Sequence, residues 1–228
     1  MEQNQTERSQ QVVQLKNETW RLTLQTFINL VIATMISIVL VLSLSSLMSS
    51  VWGKLVTEAV CLAIVLPILY GYMWGQGDRD ANFVQFGRME PDPLKGLRAG
   101  ALATVPAYLT YIPLALCRAG AMGSFDFMPF FRLLNAPMWG FINLIHSSGA
   151  IAHEATEAVE ATETTPAIEA MAATEALPWG SFVVLLLLPL LYIAICAVGY
   201  YMGTKRLAIM SKLVYKDDKK KPNRKKPQ

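Results

Sequence analysis

Four long stretches without a formal charge dominate this chain: residues 22–53, 59–77, 99–117 and 176–204. A helix crosses the hydrocarbon core of a bilayer with ~20 mostly apolar residues. Each stretch reaches that length or nearly so. The expected fold class is therefore all-α, a polytopic integral membrane protein with four transmembrane helices. An outer interfacial or re-entrant segment is expected beside them. Only 16% of the 228 residues are charged, against about 25% in ordinary soluble domains. The charges crowd into the connections, so one membrane domain and no independent globular one is expected.

The expected boundaries are an N-terminal tail over residues 1–21, a membrane domain over 22–211 and a basic tail over 212–228. The spans fall at about 22–48, 55–75, 96–118 and 179–203. An inner loop covers 76–95, an amphipathic outer segment 125–148 and an acidic outer loop 149–177. No cleavable signal is expected, because a polar segment precedes a run far longer than a secretory apolar core. The first span reads as a signal anchor.

Lysine and arginine set the orientation, since they stay on the cytoplasmic side. With four spans, seventeen of the twenty basic residues share one side, and only Lys54, Arg118 and Arg132 lie opposite. This places both termini in the cytoplasm of a multi-pass plasma-membrane protein. A fifth span over residues 133–153 would split the charges less well. Asn135, Pro137, Asn143, His146, Ser147 and Ser148 also interrupt that segment. Trp52, Trp139 and Trp179 then form an outer aromatic belt, and Trp20 and Trp74 an inner one.

The inner loop is the least repetitive polar segment. Its Gly75, Gly77 and Asp78 resemble the motif of GxGD intramembrane aspartyl proteases. That chemistry needs two carboxylates sharing a proton, and no aspartate lies inside the four stretches. A calcium loop starting at Asp78 would need glycine and glutamate where Phe83 and Met89 stand. A metal–phosphate site on Asp78 and Asp80 lacks further ligands. The loop instead reads as structured, with Asp78, Arg79, Asp80, Asn82, Arg88 and Lys95 as a candidate docking surface for another membrane protein.

Glu58 is the one acidic residue near the interior of a span, four residues from Lys54. That is helical pairing distance, so an intramembrane ion pair is expected. GxxxG spacing occurs at Gly71 and Gly75, Gly96 and Gly100, and Gly199 and Gly203. Small residues at this spacing let helix backbones approach closely. Pro67 is expected to kink the second span, and Pro106 and Pro113 the third.

Cys61, Cys117 and Cys196 read as small buried residues, not a disulfide or zinc framework. His146 and His153 are too few for a metal site. The outer run of six glutamates from Glu154 to Glu175 reads as a solvated acidic loop. The basic tail is expected to meet anionic lipid headgroups. No catalytic set, cofactor, metal or nucleic-acid partner is expected. The leading class is a non-enzymatic accessory or assembly component of the membrane. A small transporter or permease subunit is second, and a membrane enzyme third.

Overall fold

The computed structural model describes residues 19–151 and 176–206. Within them the chain is all-helical, and four helical segments are long and apolar enough to cross a membrane: Thr19–Ser43, Val51–Gln85, Lys95–Arg118 and Trp179–Thr204. The tail before residue 19, the acidic run from Glu154 to Glu175, His153 and the basic residues 212–228 lie outside the described residues.

Helix α1 (Thr19–Ser43) buries Leu22, Thr26, Leu30, Ala33, Ser37 and Val41 along one stripe. Its opposite face carries Leu24, Ile28, Ile32, Met35 and Val39, all exposed. A surface helix of a soluble protein would turn charged groups outward there. In each spanning segment only 28–33% of the most apolar window is buried inside the molecule. The outward faces are therefore apolar too.

A 3₁₀ turn (Ser45–Ser49) leads into α2 (Val51–Gln85). Ser50 caps α2 by accepting from the Gly53 N–H at 3.0 Å. At 35 residues, α2 is about 52 Å long, well past the ~30 Å of a bilayer core. The sequence-expected loop over 76–95 is thus mostly helix, and the true connection is residues 86–94. Gly87, at φ 65°, ends α2. Its N–H reaches Val84 O at 3.0 Å, and the Arg88 N–H reaches Phe83 O at 2.9 Å. That paired closure needs a left-handed residue, which glycine adopts without strain.

The third segment comprises α3 (Lys95–Leu109) and α4 (Tyr111–Arg118), broken at Thr110. Pro113 removes the N–H that would bond Leu109 O. The Thr110 hydroxyl turns back to Ala107 O at 2.7 Å. Residues 133–151 do not form a fifth crossing helix. Residues 133–145 fall in α5 (Met128–Leu134), a 3₁₀ turn (Ala136–Met138) and α6 (Trp139–Ile145), each of seven residues or fewer, and residues 146–151 are not helical.

The last segment comprises α7 (Trp179–Leu187) and α8 (Leu190–Thr204), interrupted at Pro189. Pro189 cannot donate to Leu185 O, which accepts instead from the Leu188 N–H at 3.0 Å and from the buried Tyr111 hydroxyl at 2.7 Å. Tyr111→Phe should therefore lower stability by about 1 kcal/mol, the usual scale for such interhelical bonds. Thermal unfolding in detergent, with Tyr108→Phe as the control, measures it. Equal unfolding temperatures for the two variants would show that Leu185 needs no such partner.

Helix α8 packs most extensively on α2 and then on α3. Glycines decide those contacts. A Cβ on Gly203 would meet the Trp74 carbonyl, and one on Gly199 the Tyr70 carbonyl. Gly96 and Gly100 lie against Tyr200 and Cys196. Gly71 and Gly75 do not take part, since nothing stands within 4 Å of their added Cβ positions. Gly77, outside the GxxxG spacing, faces Gly203 instead.

Candidate functional site

Two polar clusters are built into the bundle, one at each end. The first lies where α2, α3 and α8 converge beside the 86–94 connection. The buried stripe of α2 runs through Leu69, Met73 and Gly77 to Asp80. Asp80 is 4% exposed and Lys95, the first residue of α3, 5%. Lys95 Nζ sits 2.6 Å from Asp80 Oδ2, and the buried Tyr200 hydroxyl donates to the same oxygen at 2.8 Å. One carboxylate oxygen thus ties three helices together.

This changes the reading of the six loop residues. Asp80 and Lys95 are buried and paired with each other. Asn82 accepts from Arg206 at 2.5 Å, and Asp78 lies 3.7 Å from the same guanidinium. Arg79 and Arg88 remain exposed, beside Phe86 at 68%. Within the connection itself, Arg98 holds Asp92 through both carboxylate oxygens, at 2.5 and 2.6 Å. Between these elements lies a pocket of about 530 Å³, lined by Asp80, Val84, Met89, Pro91, Tyr201 and Lys205 among others.

The second cluster lies at the end bearing the α1–α2 turn. Here the chain from Asp126 to Ala150 enters the bundle and returns. Asp126 Oδ1 accepts from the Met128 N–H at 2.8 Å and the Ala150 N–H at 3.0 Å, closing the mouth. Arg132 donates to His146 O at 3.1 Å and Ser148 O at 2.7 Å. Burial pushes its pKa below the ordinary arginine value, while the Asp126 carboxylate opposes that shift. At the tip, Asn135 Nδ2 donates to Thr110 Oγ1 at 3.1 Å and to Phe131 O at 3.0 Å. Ala136, Pro137 and Met138 are buried, and this turn packs on α1 and α2.

Glu58 meets that inserted hairpin. The expected pair with Lys54 is not formed. Lys54 Nζ donates to Asn143 O at 3.1 Å, and Glu58 Oε2 accepts from the Phe141 N–H at 3.2 Å. Both side chains turn to α6 because its backbone offers unpaired groups at that height. Gly140 lies so close to Lys54 and Glu58 that an added Cβ would fall 2.8 Å from Glu58 Cβ. Glu58 is 2% exposed, and its Oε1 has no hydrogen-bond partner.

Among the described residues no three His, Cys, Asp or Glu side chains come together as a metal site. His146 Nε2 lies 2.8 Å from Gly149 O. All three cysteines are free and buried. Sequence reasoning singled out Glu58 but missed its partners on α6 and the pairing of Tyr111 with the α7–α8 break. Pro189 inside an apolar run was the available signal for the latter. The described residues form an all-helical bundle with four helical segments long and apolar enough to cross a membrane and a short hairpin inserted among them. No known protein family matches the chain, and neither a curated protein nor a solved structure does.

Proposed function

We propose that this chain is a four-span integral protein of the plasma membrane with both termini in the cytoplasm, working as a non-enzymatic accessory or assembly component. The observation that carries this reading is the apolar exposed surface of all four long segments, supported by the charge distribution. Trp20, Trp52 and Trp179 are all exposed, at positions suited to the two interfaces. On this reading the α2–α3 connection is cytoplasmic and the inserted hairpin faces outward. Arg79, Phe86 and Arg88 are the part of the inner connection left for another membrane protein. The basic residues 212–228 meet anionic headgroups.

Single cysteines test the topology, and the native thiols, being buried, give little background. A cysteine at exposed Ser147 should react with an impermeant thiol reagent added outside intact cells. One at exposed Arg88 should react only after permeabilisation. Labelling at Arg88 from outside overturns the topology. A photo-crosslinking residue at Arg88 then tests assembly: one discrete protein adduct supports the accessory role, and adducts to lipid alone count against it.

One observation favours a second reading, a small transporter or permease subunit. Glu58 is a buried intramembrane carboxylate, and such groups commonly mark ion or substrate pathways. Cation flux into proteoliposomes that is lost in Glu58→Gln supports transport, and flux unaffected by that change opposes it.

A further inference from the structure

On α8 the exposed residues Leu191, Ala194, Val198 and Tyr201 recur every three or four positions, and the row ends at exposed Lys205. At that spacing they form one apolar stripe along the helix. The stripe runs directly into the pocket at the 86–94 connection, because Tyr201 and Lys205 are themselves pocket-lining residues. The facing walls are apolar: Ala81 and Val84 from α2, Met89 and Pro91 from the connection. At about 530 Å³ the cavity lies within the ~300–1,000 Å³ of ligand sites.

The charged groups of this pocket differ in their pairing. Asp80 is held by Lys95 and by the Tyr200 hydroxyl, and Asp92 by Arg98. Bases from α3 thus match both acids. Lys205 makes no ion pair among the described residues. Its ammonium lies 5.9 Å from the centre of the Tyr201 ring, a contact that leaves N–H donors for an acceptor. The neighbouring Arg206 is engaged with Asp78, Asn82 and Gln85. A complementary occupant is therefore anionic at Lys205 and apolar along the stripe and walls.

We propose that the pocket seats one anionic phospholipid. Its phosphate meets Lys205, its glycerol region lies between Tyr201 and Met89, and an acyl chain follows the α8 stripe. From Leu191 to Tyr201 that stripe is about 15 Å long, and a free phosphate would leave all of it bare. Basic pockets at cytoplasmic helix ends take such headgroups. The inference rests on the four-span reading, which puts the pocket at headgroup depth. It goes beyond the attraction of the basic tail, because it needs a cavity and a single lysine at the end of α8.

Native mass spectrometry of the purified full chain in detergent tests it, with dioleoyl phosphatidylglycerol and dioleoyl phosphatidylcholine added at equal concentration. One phosphatidylglycerol per chain should be retained in preference to phosphatidylcholine. Lys205→Gln should weaken that retention about fivefold, the usual effect of one basic residue near anionic lipid. Val84→Trp fills the pocket and should weaken it at least as much. Met89→Trp fills it from the connection and takes the place of Val84→Trp if the helix variant does not fold. Lys219, Lys220 and Lys221 changed together to glutamine should leave retention unchanged. Equal retention of the two lipids, undiminished retention in Lys205→Gln or in a folded filling variant, or loss in the tail variant alone overturns the proposal. Thiol labelling at Ser147 and Arg88 reads the topology independently. Lost lipid selectivity with the expected labelling pattern therefore sinks this inference and leaves the four-span reading standing.

Discussion

Gly203→Leu is expected to destabilise the protein by about 3 kcal/mol, the upper part of the usual overpacking range. At Gly203 an added Cβ would meet only backbone: the Trp74 carbonyl, Asp78 N at 3.0 Å and Gly77 Cα at 3.0 Å. Backbone cannot swing aside as a flexible side chain can. The α2 and α8 axes would have to separate, and the separation would loosen the Tyr200 contact with Asp80 one turn away. Gly71→Leu and Gly75→Leu meet nothing within 4 Å and should leave stability within about 0.5 kcal/mol, as for ordinary surface changes. Thermal unfolding in one detergent decides between them. Helix propensity alone would favour leucine at both positions, so equal losses at Gly71 and Gly203 would mean that the close approach to α2 is not what the substitution disturbs. No loss at Gly203 would mean that the crossing is not close.

Lys95→Met is the second large effect. It leaves Asp80 buried, with the Tyr200 hydroxyl as the donor that remains to it. Breaking a buried pair from one side typically costs about 3–5 kcal/mol, because an uncompensated charge stays behind. The cost is not the worth of the pair itself. Replacing the whole cluster, with Asp80→Leu, Lys95→Met and Tyr200→Phe together, should recover most of the loss, since an apolar substitute of similar volume avoids desolvating charge. Chemical or thermal unfolding of the single and triple variants separates the two contributions. A triple variant no better than Lys95→Met would show that the cluster holds the helices by geometry that apolar packing cannot replace. Because Asp80 and Lys95 face inward, their loss should act on stability first and on any partner only through it.

Much of the architecture was legible because hydropathy is a property of the local sequence. Each of the four charge-free stretches overlaps one of the four long helical segments, although 22–53 runs past the end of α1 at Ser43 into the 3₁₀ turn and the start of α2; the polar interruptions at Asn135 and Pro137 do coincide with the break between short helices. Rotation of each helix was not legible. In a soluble helix the polar face reveals which side is buried. Here both faces are apolar, so Gly71 and Gly75 looked as suitable for packing as Gly77. Consecutive residues turn by about 100°, which sets Gly77 on nearly the opposite face from Gly75. The Schellman ending at Gly87 was likewise available in principle, but it was masked by the charged run that made 76–95 look like a loop.

The sites divide in the same way. Glu58 stood out from sequence because a carboxylate inside an apolar helix is costly wherever it points. Its partner did not, since helical spacing alone favoured Lys54, only four residues away. The inserted hairpin supplied backbone amides and carbonyls at the same depth, and both side chains turned to them. Such competition depends on a segment more than eighty residues distant in sequence, which no local pattern contains.

By itself, then, the sequence determined that this chain is all-helical with four segments fit to cross a membrane, because length and lack of charge are counted along the chain. The tertiary structure alone decided which glycines meet, which charges are buried and what Glu58 faces. Those depend on the rotation and register of helices against one another, set by close packing across the bundle and not by any one segment.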